Sequence, residues 1–180
     1  TREIPGINDP TDYSKDYAKT AKADTAKNKP AAPKTESRKV LISGVYWSED
    51  GKNAVVVIRS FDNKDRWVMG LDITTRKLKL LDRQRDEAWI GDPGMGFGFG
   101  GGSLGWPDNQ TFYYQSEADG YSHLYTVNVT TGEKKQLTKG KFEVQNLQLS
   151  NDKKTFYLTT NEVHPGEQLF YKMASTGGER

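Results

Sequence analysis

From residue 40 onward, apolar and aromatic residues recur in short runs that are separated by polar turns. The runs are rich in Val, Ile, Tyr, Phe and Trp, the residue types that β-strands favour. Four successive strands are predicted at residues 40–47, 53–59, 66–73 and 77–81. Because no long amphipathic pattern follows residue 40, the sequence predicts an all-β fold.

A turn motif repeats along this β-rich part of the chain. The sequence WSEDGK at 47–52 is echoed by WPDNQ at 106–110 and, more weakly, by LSNDKK at 149–154. Each copy precedes a hydrophobic strand, a polar turn and an aromatic strand. The copies begin 59 and 43 residues apart, and an insert at residues 82–105 explains the longer interval. The repeat predicts matching positions for its first residues in neighbouring sheets.

A four-stranded unit of about 40–45 residues is the period of a β-propeller blade. One blade cannot bury both of its faces, so blades stack side by side around an axis. We therefore expect about three consecutive four-stranded antiparallel blades, near residues 40–81, 103–138 and 143–180. Because closed propellers use about 4–8 blades, this would be a partial propeller. A small antiparallel sandwich or barrel is the alternative.

Residues 1–39 differ in composition from the rest of the 180-residue chain. They hold four of the seven prolines, and between residues 15 and 39 there are eight basic and three acidic residues. We interpret residues 1–39 as a low-complexity basic linker or inserted loop. It lacks the interleaved aromatic residues of a nucleic-acid-binding arm, and the whole chain has a net charge of only +2. We therefore expect no nucleic-acid partner.

Three stretches resemble consecutive blades of a known propeller family. They are SEADGYSHLY at 116–125, QLTKGKFEV at 136–144 and TNEVHPGEQLFY at 160–171, and EAWIG at 87–91 and RSFDNKDRW at 59–67 fit the same region. They are similar to the N-terminal β-propeller of the dipeptidyl peptidase IV branch of the prolyl oligopeptidase family. The resemblance covers roughly residues 40–180.

This resemblance implies a serine exopeptidase that cleaves short peptides. The propeller would wall the substrate chamber and gate access to an α/β-hydrolase domain, which carries the catalytic residues outside this chain. The implied partners are a peptide substrate, that C-terminal hydrolase domain and the remaining blades, with room for a homodimer and a periplasmic or secreted location. One departure is that no adjacent Glu-Glu pair, which holds the substrate amine in dipeptide-releasing relatives, occurs in this sequence.

The glycine-rich insert at residues 91–105 is the candidate substrate-facing element. It contains eight glycines, and we single out Trp89, Met95, Phe97 and Phe99 as candidate substrate-facing residues. Glycine at this density permits unusual backbone angles. The alternative is that these aromatic side chains cover a blade face.

Other motifs carry little chemistry. Ser103 lies in a G-x-S-x-G match, but a blade turn follows it where a nucleophile elbow requires a helix. The G-x-G-x-x-G match at 96–101 also lacks its helix. His123 and His164 are 41 residues apart without ligand-like spacing, and cysteine is absent, so we expect no metal site.

We assign no catalytic residue and no cofactor to the chain, and no window is apolar enough to span a bilayer. Two functions remain open at this point. The first is the non-catalytic propeller segment of the exopeptidase described above. The second is a stand-alone propeller that binds a partner and has no hydrolase activity. An independent enzyme that uses Ser103 is a third, weaker reading.

Overall fold

The computed structural model describes Ile4, residues 38–91 and residues 103–180. Within this part, no helix is long and apolar enough to cross a bilayer. The strands are β1 (Val40–Trp47), β2 (Ala54–Ser60), β3 (Asp65–Asp72), β4 (Lys77–Arg85), β5 (Thr111–Ser116), β6 (His123–Asn128), β7 (Lys134–Gln136), β8 (Val144–Leu149), β9 (Thr155–Thr160) and β10 (Leu169–Ala174).

The strands form three sheets, and each sheet consists of consecutive strands that pair antiparallel with their neighbours. The orders are β1-β2-β3-β4, β5-β6-β7 and β8-β9-β10. The prediction of an all-β fold with three consecutive antiparallel sheets is confirmed. The first sheet has four strands, whereas the second and third show three each in the described residues. In the second sheet, a single bridge between Gly105 and Tyr113 occupies the edge position beside β5.

Strand β4 is longer than the sequence predicts. The prediction ends it at Leu81 and assigns the following residues, which begin with the polar Asp82-Arg-Gln-Arg85, to the insert at residues 82–105. In the structure β4 continues to Arg85, which pairs with Asp65 of β3. The polar groups of this extension find partners in neighbouring strands, which removes the penalty of burying them. This extension brings charged side chains to one end of the first sheet.

The two ends of the sheets differ in character. The turn end carries the short connections at residues 48–53, 73–76, 129–133 and 150–154. The loop end carries the connections at residues 61–64, 117–122, 137–143 and 161–168, and the insert after β4 also leaves from it. Backbone pairing fixes which residues reach each end, because every strand pair is antiparallel.

Apolar side chains pack between successive sheets. Val55 and Val57 of β2 face the second sheet and contact a cluster that includes Phe112 and Trp106, whose rings lie edge to face with centroids 5.2 Å apart. A second cluster fills the space between the second and third sheets. Its members include Leu124, Phe142, Phe156, Leu158 and Met173. Each sheet is thus stabilised by burial against the next one along the chain.

The opposite face of the first sheet is covered as well. Val56 and Ile58 alternate with the residues that face the second sheet, and they pack with Trp67 and Met69 against Ile4. Ile4 is only 4% exposed. Both faces of β2 are therefore buried, which explains its uninterrupted run of apolar residues. The rest of the predicted linker up to residue 37 lies outside the described residues.

The repeated turn motif recurs as a repeated set of hydrogen bonds. The Ser48 hydroxyl donates to Asp50 Oδ1 at 2.7 Å, and Ser150 donates to Asp152 Oδ1 at 2.6 Å. Trp47 and Trp106 each lie directly before the turn of their own copy of the motif, but their surroundings differ. Trp47 is 52% exposed, whereas Trp106 is 8% exposed and its Nε1 donates to the Tyr46 carbonyl of the first sheet at 3.3 Å.

A line of buried polar groups crosses from sheet to sheet near the loop end. The Arg66 guanidinium of β3 donates to the Gln115 carbonyl of β5, and Gln84 Nε2 donates to the same oxygen at 3.2 Å. The Gln115 side chain then donates to the Val144 carbonyl of β8 at 2.7 Å and to the Ser122 hydroxyl at 3.0 Å. These bonds hold all three sheets in register with one another.

We predict that Gln115→Met lowers the free energy of unfolding by about 1–3 kcal/mol, because the Val144 carbonyl and the Ser122 hydroxyl each lose a buried partner while the side-chain volume is kept. Urea unfolding of the full chain measures this loss. Gln145→Met, at an exposed position of β8, is the matched control and should change stability by less than about 0.5 kcal/mol. Equal effects at the two positions would contradict the cross-sheet role of Gln115.

Candidate functional site

A buried carboxylate organises the charged groups at the loop end of the first sheet. The Asp65 side chain is fully buried and accepts hydrogen bonds from three arginines. Arg83 Nε lies 2.8 Å and Arg85 Nη1 lies 2.7 Å from the Asp65 oxygens. Arg38 donates to both Asp65 and Asp62. A buried carboxylate requires such compensation. The arrangement fixes the end of β4 and therefore the point at which the following segment begins.

The segment of residues 86–91, called the Trp89 segment below, leaves β4 in a tied conformation. Asp86 Oδ1 accepts the N–H groups of Ala88 at 2.6 Å and Trp89 at 3.0 Å, which closes an Asx turn. The Ile90 N–H donates to the Asn63 carbonyl at 2.8 Å, and the Ile90 side chain is buried. The Asp86 N–H also donates to the Lys64 carbonyl at 3.1 Å, so two backbone hydrogen bonds hold this short stretch against the first sheet while the Asx turn shapes it from within.

The Trp89 indole projects from this tied segment and is 64% exposed. The neighbouring Ile90 supplies the buried anchor, so the backbone places the large ring of Trp89 in solvent on a fixed support. An exposed tryptophan on a preorganised backbone is a recurrent feature of ligand-binding surfaces, because the ring offers a large contact area with few rotatable bonds. The other three candidates, Met95, Phe97 and Phe99, lie outside the described residues.

A cavity of about 320 Å³ lies directly beside the Trp89 segment. Residues of the first sheet and of the connection after β5 line it, so the cavity bridges the first and second sheets. Its lining residues are Arg83, Gln84, Arg85, Asp86, Ile90, Glu117 and Ala118. A cavity of this size with opposed charges can accommodate a small zwitterionic or peptidic group. The sequence-based reasoning did not identify this cavity.

Glu117 lines this cavity from the second sheet. Its Oε2 accepts the Gly91 N–H at 3.2 Å. Burial raises the pKa of the Glu117 carboxyl, and the nearby carboxylates of Glu143 and Asp86 raise it further, while the Gly91 N–H and Arg66 lower it. Partial burial and neighbouring carboxylates therefore disfavour the charge of this otherwise exposed residue, and carboxyls perturbed in this way occur at functional sites.

The residues of the apparent catalytic motifs are not brought together as a triad. His123 is fully buried, with Nδ1 bonded to Thr138 Oγ1 and Nε2 to the Gly140 carbonyl, each at 3.0 Å. His164 is exposed and accepts the Gly166 N–H. Ser103 lies beside Tyr157 and Phe170 on the third sheet. Within residues 38–91 and 103–180, no group of three or more His, Asp or Glu residues could hold a metal ion.

Sequence reasoning missed Asp86 and Glu117, and a local signal exists for one of them. Asp86-Glu-Ala-Trp89 has an aspartate placed to accept the N–H groups two and three residues later, which marks an Asx turn. Glu117 carries no comparable signal. Its role depends on the contact with Gly91, which is 26 residues away along the chain.

The three stacked antiparallel sheets and their sequence repeat define a partial β-propeller. The sequence family described as the dipeptidyl peptidase IV (DPP IV) N-terminal region matches residues 17–180, so the chain belongs to this family.

Individual relatives agree with this assignment. The probable dipeptidyl peptidase 4 of Aspergillus fumigatus is 26% identical over 143 residues, which cover 77% of this chain and 18% of that protein. Dipeptidyl peptidase 4 of Trichophyton rubrum is 28% identical over 141 residues, which cover 75% of this chain and 17% of that protein. The chain therefore spans less than a fifth of the length of these relatives.

A solved structure shows the same fold. The crystal structure of Porphyromonas gingivalis dipeptidyl peptidase 4 superposes with a TM-score of 0.59 and 18% sequence identity, and the match covers 82% of this chain and 20% of that one. At this level of identity the comparison supports the propeller fold. The resemblance to the dipeptidyl peptidase IV branch inferred from the sequence is confirmed.

We predict that the melting temperature of Glu117→Gln exceeds that of the unchanged protein by an amount that grows as the pH rises from about 4 to about 7. A carboxyl whose pKa is higher in the folded than in the unfolded chain binds its proton more tightly when folded, so its contribution to stability falls across this interval. Glutamine does not titrate, so the two proteins should converge at the acidic end.

Thermal unfolding of both proteins at a series of pH values measures this difference. Glu167→Gln, at an exposed position of the loop end, is the control and should give a difference that is flat with pH. A flat difference for Glu117→Gln as well would contradict the unfavourable environment assigned to its carboxylate.

Proposed function

We propose that this chain is the part of a serine exopeptidase that walls the substrate chamber and restricts access to short peptides. The nucleophile and its partners would lie in a hydrolase domain outside this chain, and further blades would complete the propeller. Membership of the dipeptidyl peptidase IV N-terminal region family supports this proposal. The family assignment does not identify the residues that would meet the peptide, and these are proposed here from geometry.

The observation that carries the proposal is the exposed Trp89 indole beside a charged cavity at the loop end. The indole would contact apolar side chains of the peptide, while the charged residues that line the cavity, among them Asp86 and Glu117, would face its polar groups. The glycine-rich insert begins at Gly91, and Met95, Phe97 and Phe99 of this insert would contact the peptide as well. The resemblance to the dipeptidyl peptidase IV propeller supports a substrate-facing role for these three residues.

The contribution of the propeller would be to binding and to selection by size. It supplies no group for acyl transfer in this proposal, so its substitutions should act on peptide affinity more than on the chemical step. A rigid aromatic contact that is made equally in the bound substrate and in the transition state affects KM and leaves kcat nearly unchanged.

We predict that Trp89→Ala, made in the complete protein that carries this chain, raises KM for a dipeptidyl chromogenic substrate by roughly 5- to 30-fold with kcat changed less than about two-fold. This range corresponds to about 1–2 kcal/mol of lost aromatic contact. Steady-state kinetics with a dipeptidyl p-nitroanilide provides the measurement.

Trp47→Ala is the matched control for this experiment. Trp47 is also a half-exposed tryptophan of the first sheet, but it lies at the turn end. The Trp47→Ala substitution should leave KM unchanged. Equal effects of the two substitutions would contradict a binding role for Trp89. If the complete protein hydrolyses no such substrate, the exopeptidase hypothesis is contradicted and the hypothesis of a propeller that binds a partner remains.

A further inference from the structure

Glu117 connects the Trp89 segment to the second sheet. The residue follows β5 directly, and its Oε2 accepts the Gly91 N–H at 3.2 Å. A Cβ added at Gly91 would lie 2.7 Å from Glu117 Oε1, so a side chain at position 91 would oblige the carboxylate to shift.

The other ties of the Trp89 segment lead to the first sheet. The Asp86 N–H donates to the Lys64 carbonyl at 3.1 Å and the Ile90 N–H donates to the Asn63 carbonyl at 2.8 Å, and both acceptors lie in the β2–β3 connection. These bonds fix the segment relative to the first sheet. The bond from Glu117 fixes its far end relative to the second sheet, across the cavity that both sheets line. The width of the cavity and the position of Trp89 are thereby coupled.

We propose that Glu117 is a positioning residue for peptide binding, which holds Gly91 with its carboxylate and so sets where the Trp89 indole stands. The part of this inference that concerns peptide rests on the proposed function above. The part that concerns the position of the segment stands on the Gly91 contact alone. Glycine at position 91 suits this contact, since a side chain there would oblige the carboxylate to shift.

The charges around Glu117 make this contact sensitive to pH. Asp86 from the segment after β4 and Glu143 from the connection before β8 face the carboxyl, and Arg66 of β3 is the facing cation. A carboxylate is a stronger acceptor for an N–H group than a protonated carboxyl. As the pH falls through the raised pKa of Glu117, its hydrogen bond with the Gly91 N–H weakens. KM should therefore begin to rise at a higher pH than it would if Glu117 had the pKa of an ordinary glutamate.

A double-mutant cycle in the complete protein tests whether Glu117 acts through Trp89. Glu117→Ala should raise KM for a dipeptidyl p-nitroanilide roughly three- to ten-fold, as expected for one charge-assisted hydrogen bond. In the Trp89→Ala background the same substitution should change KM less than two-fold. Glu117→Gln keeps an acceptor and should restore most of the affinity, without the rise in KM at acidic pH.

Gly91→Ala gives an independent test that leaves Glu117 in place. The added methyl group would push the carboxylate away, so the variant should reproduce the rise in KM of Glu117→Ala. Combined with Glu117→Ala, it should add nothing. Glu133→Ala, at an exposed position of the turn end, is the matched control and should leave KM unchanged.

Two outcomes would overturn the inference even if the proposed function holds. An equal rise in KM for Glu117→Ala with and without Trp89 would make Glu117 a direct substrate contact and not a positioning residue. A rise for Glu117→Ala without one for Gly91→Ala would show that the Gly91 contact has no part in binding.

A structural measurement separates failure of this inference from failure of the proposed function. Deuterium uptake by the peptide that spans residues 86–91 should increase in Glu117→Ala and in Gly91→Ala, and not in Glu133→Ala. This readout needs no hydrolytic activity. If the complete protein does not cleave dipeptides but uptake rises as expected, the proposed function fails and the positioning role stands. Unchanged uptake in both variants overturns the positioning role.

Discussion

The buried guanidinium of Arg66 is the group on which the arrangement of the first two sheets depends. It is 2% exposed and reaches from β3 across the interface to the Gln115 carbonyl of β5. Apolar contacts between blades are strong but non-directional, so they permit sliding of one sheet over the next. A buried donor that must find one particular carbonyl removes that freedom, because any shift leaves a charged group without its partner. The Gln115 side chain extends the same constraint to Val144 of the third sheet.

The same constraint places the candidate site. Arg66 is held by Gln84 Oε1 at 2.8 Å, and the pairing of Asp65 with Arg83 and Arg85 extends β4 to its last residue. The Trp89 segment starts where this extension ends. A shorter β4 would release Asp86 from its position, and the indole would lose its fixed support. The buried charged groups between the sheets therefore determine where the exposed Trp89 ring lies at the loop end.

The parts of the fold that follow from local chemistry could be predicted from the sequence. Strand β1 was predicted with its observed bounds, and β2 and β3 within one residue, because runs of β-branched and aromatic residues alternate with turn formers. The end of β4 could not be predicted, since Asp82-Arg-Gln-Arg85 is polar and becomes strand only when distant groups satisfy it. Trp89 was predicted as a site residue from its place before the glycine-rich insert, and its role stays a prediction. Glu117 lies beyond such reasoning, because its partner Gly91 is fixed by tertiary packing.

The contrast between the two ends of the sheets separates structural polar residues from functional candidates. At the turn end, Ser48 with Asp50 and Ser150 with Asp152 make the same hydrogen bonds in two different sheets. A polar pair that recurs in each repeat serves what the repeats have in common, which is the closing of a hairpin. At the loop end, Glu117 accepts a backbone N–H directly after β5, as Asn161 does directly after β9, but Glu117 does so with a carboxylate whose charge is disfavoured by partial burial and neighbouring carboxylates. An uncharged acceptor could bind Gly91 without this penalty. What an acid adds at position 117 is a hydrogen bond whose strength changes with pH, because the carboxylate is the stronger acceptor.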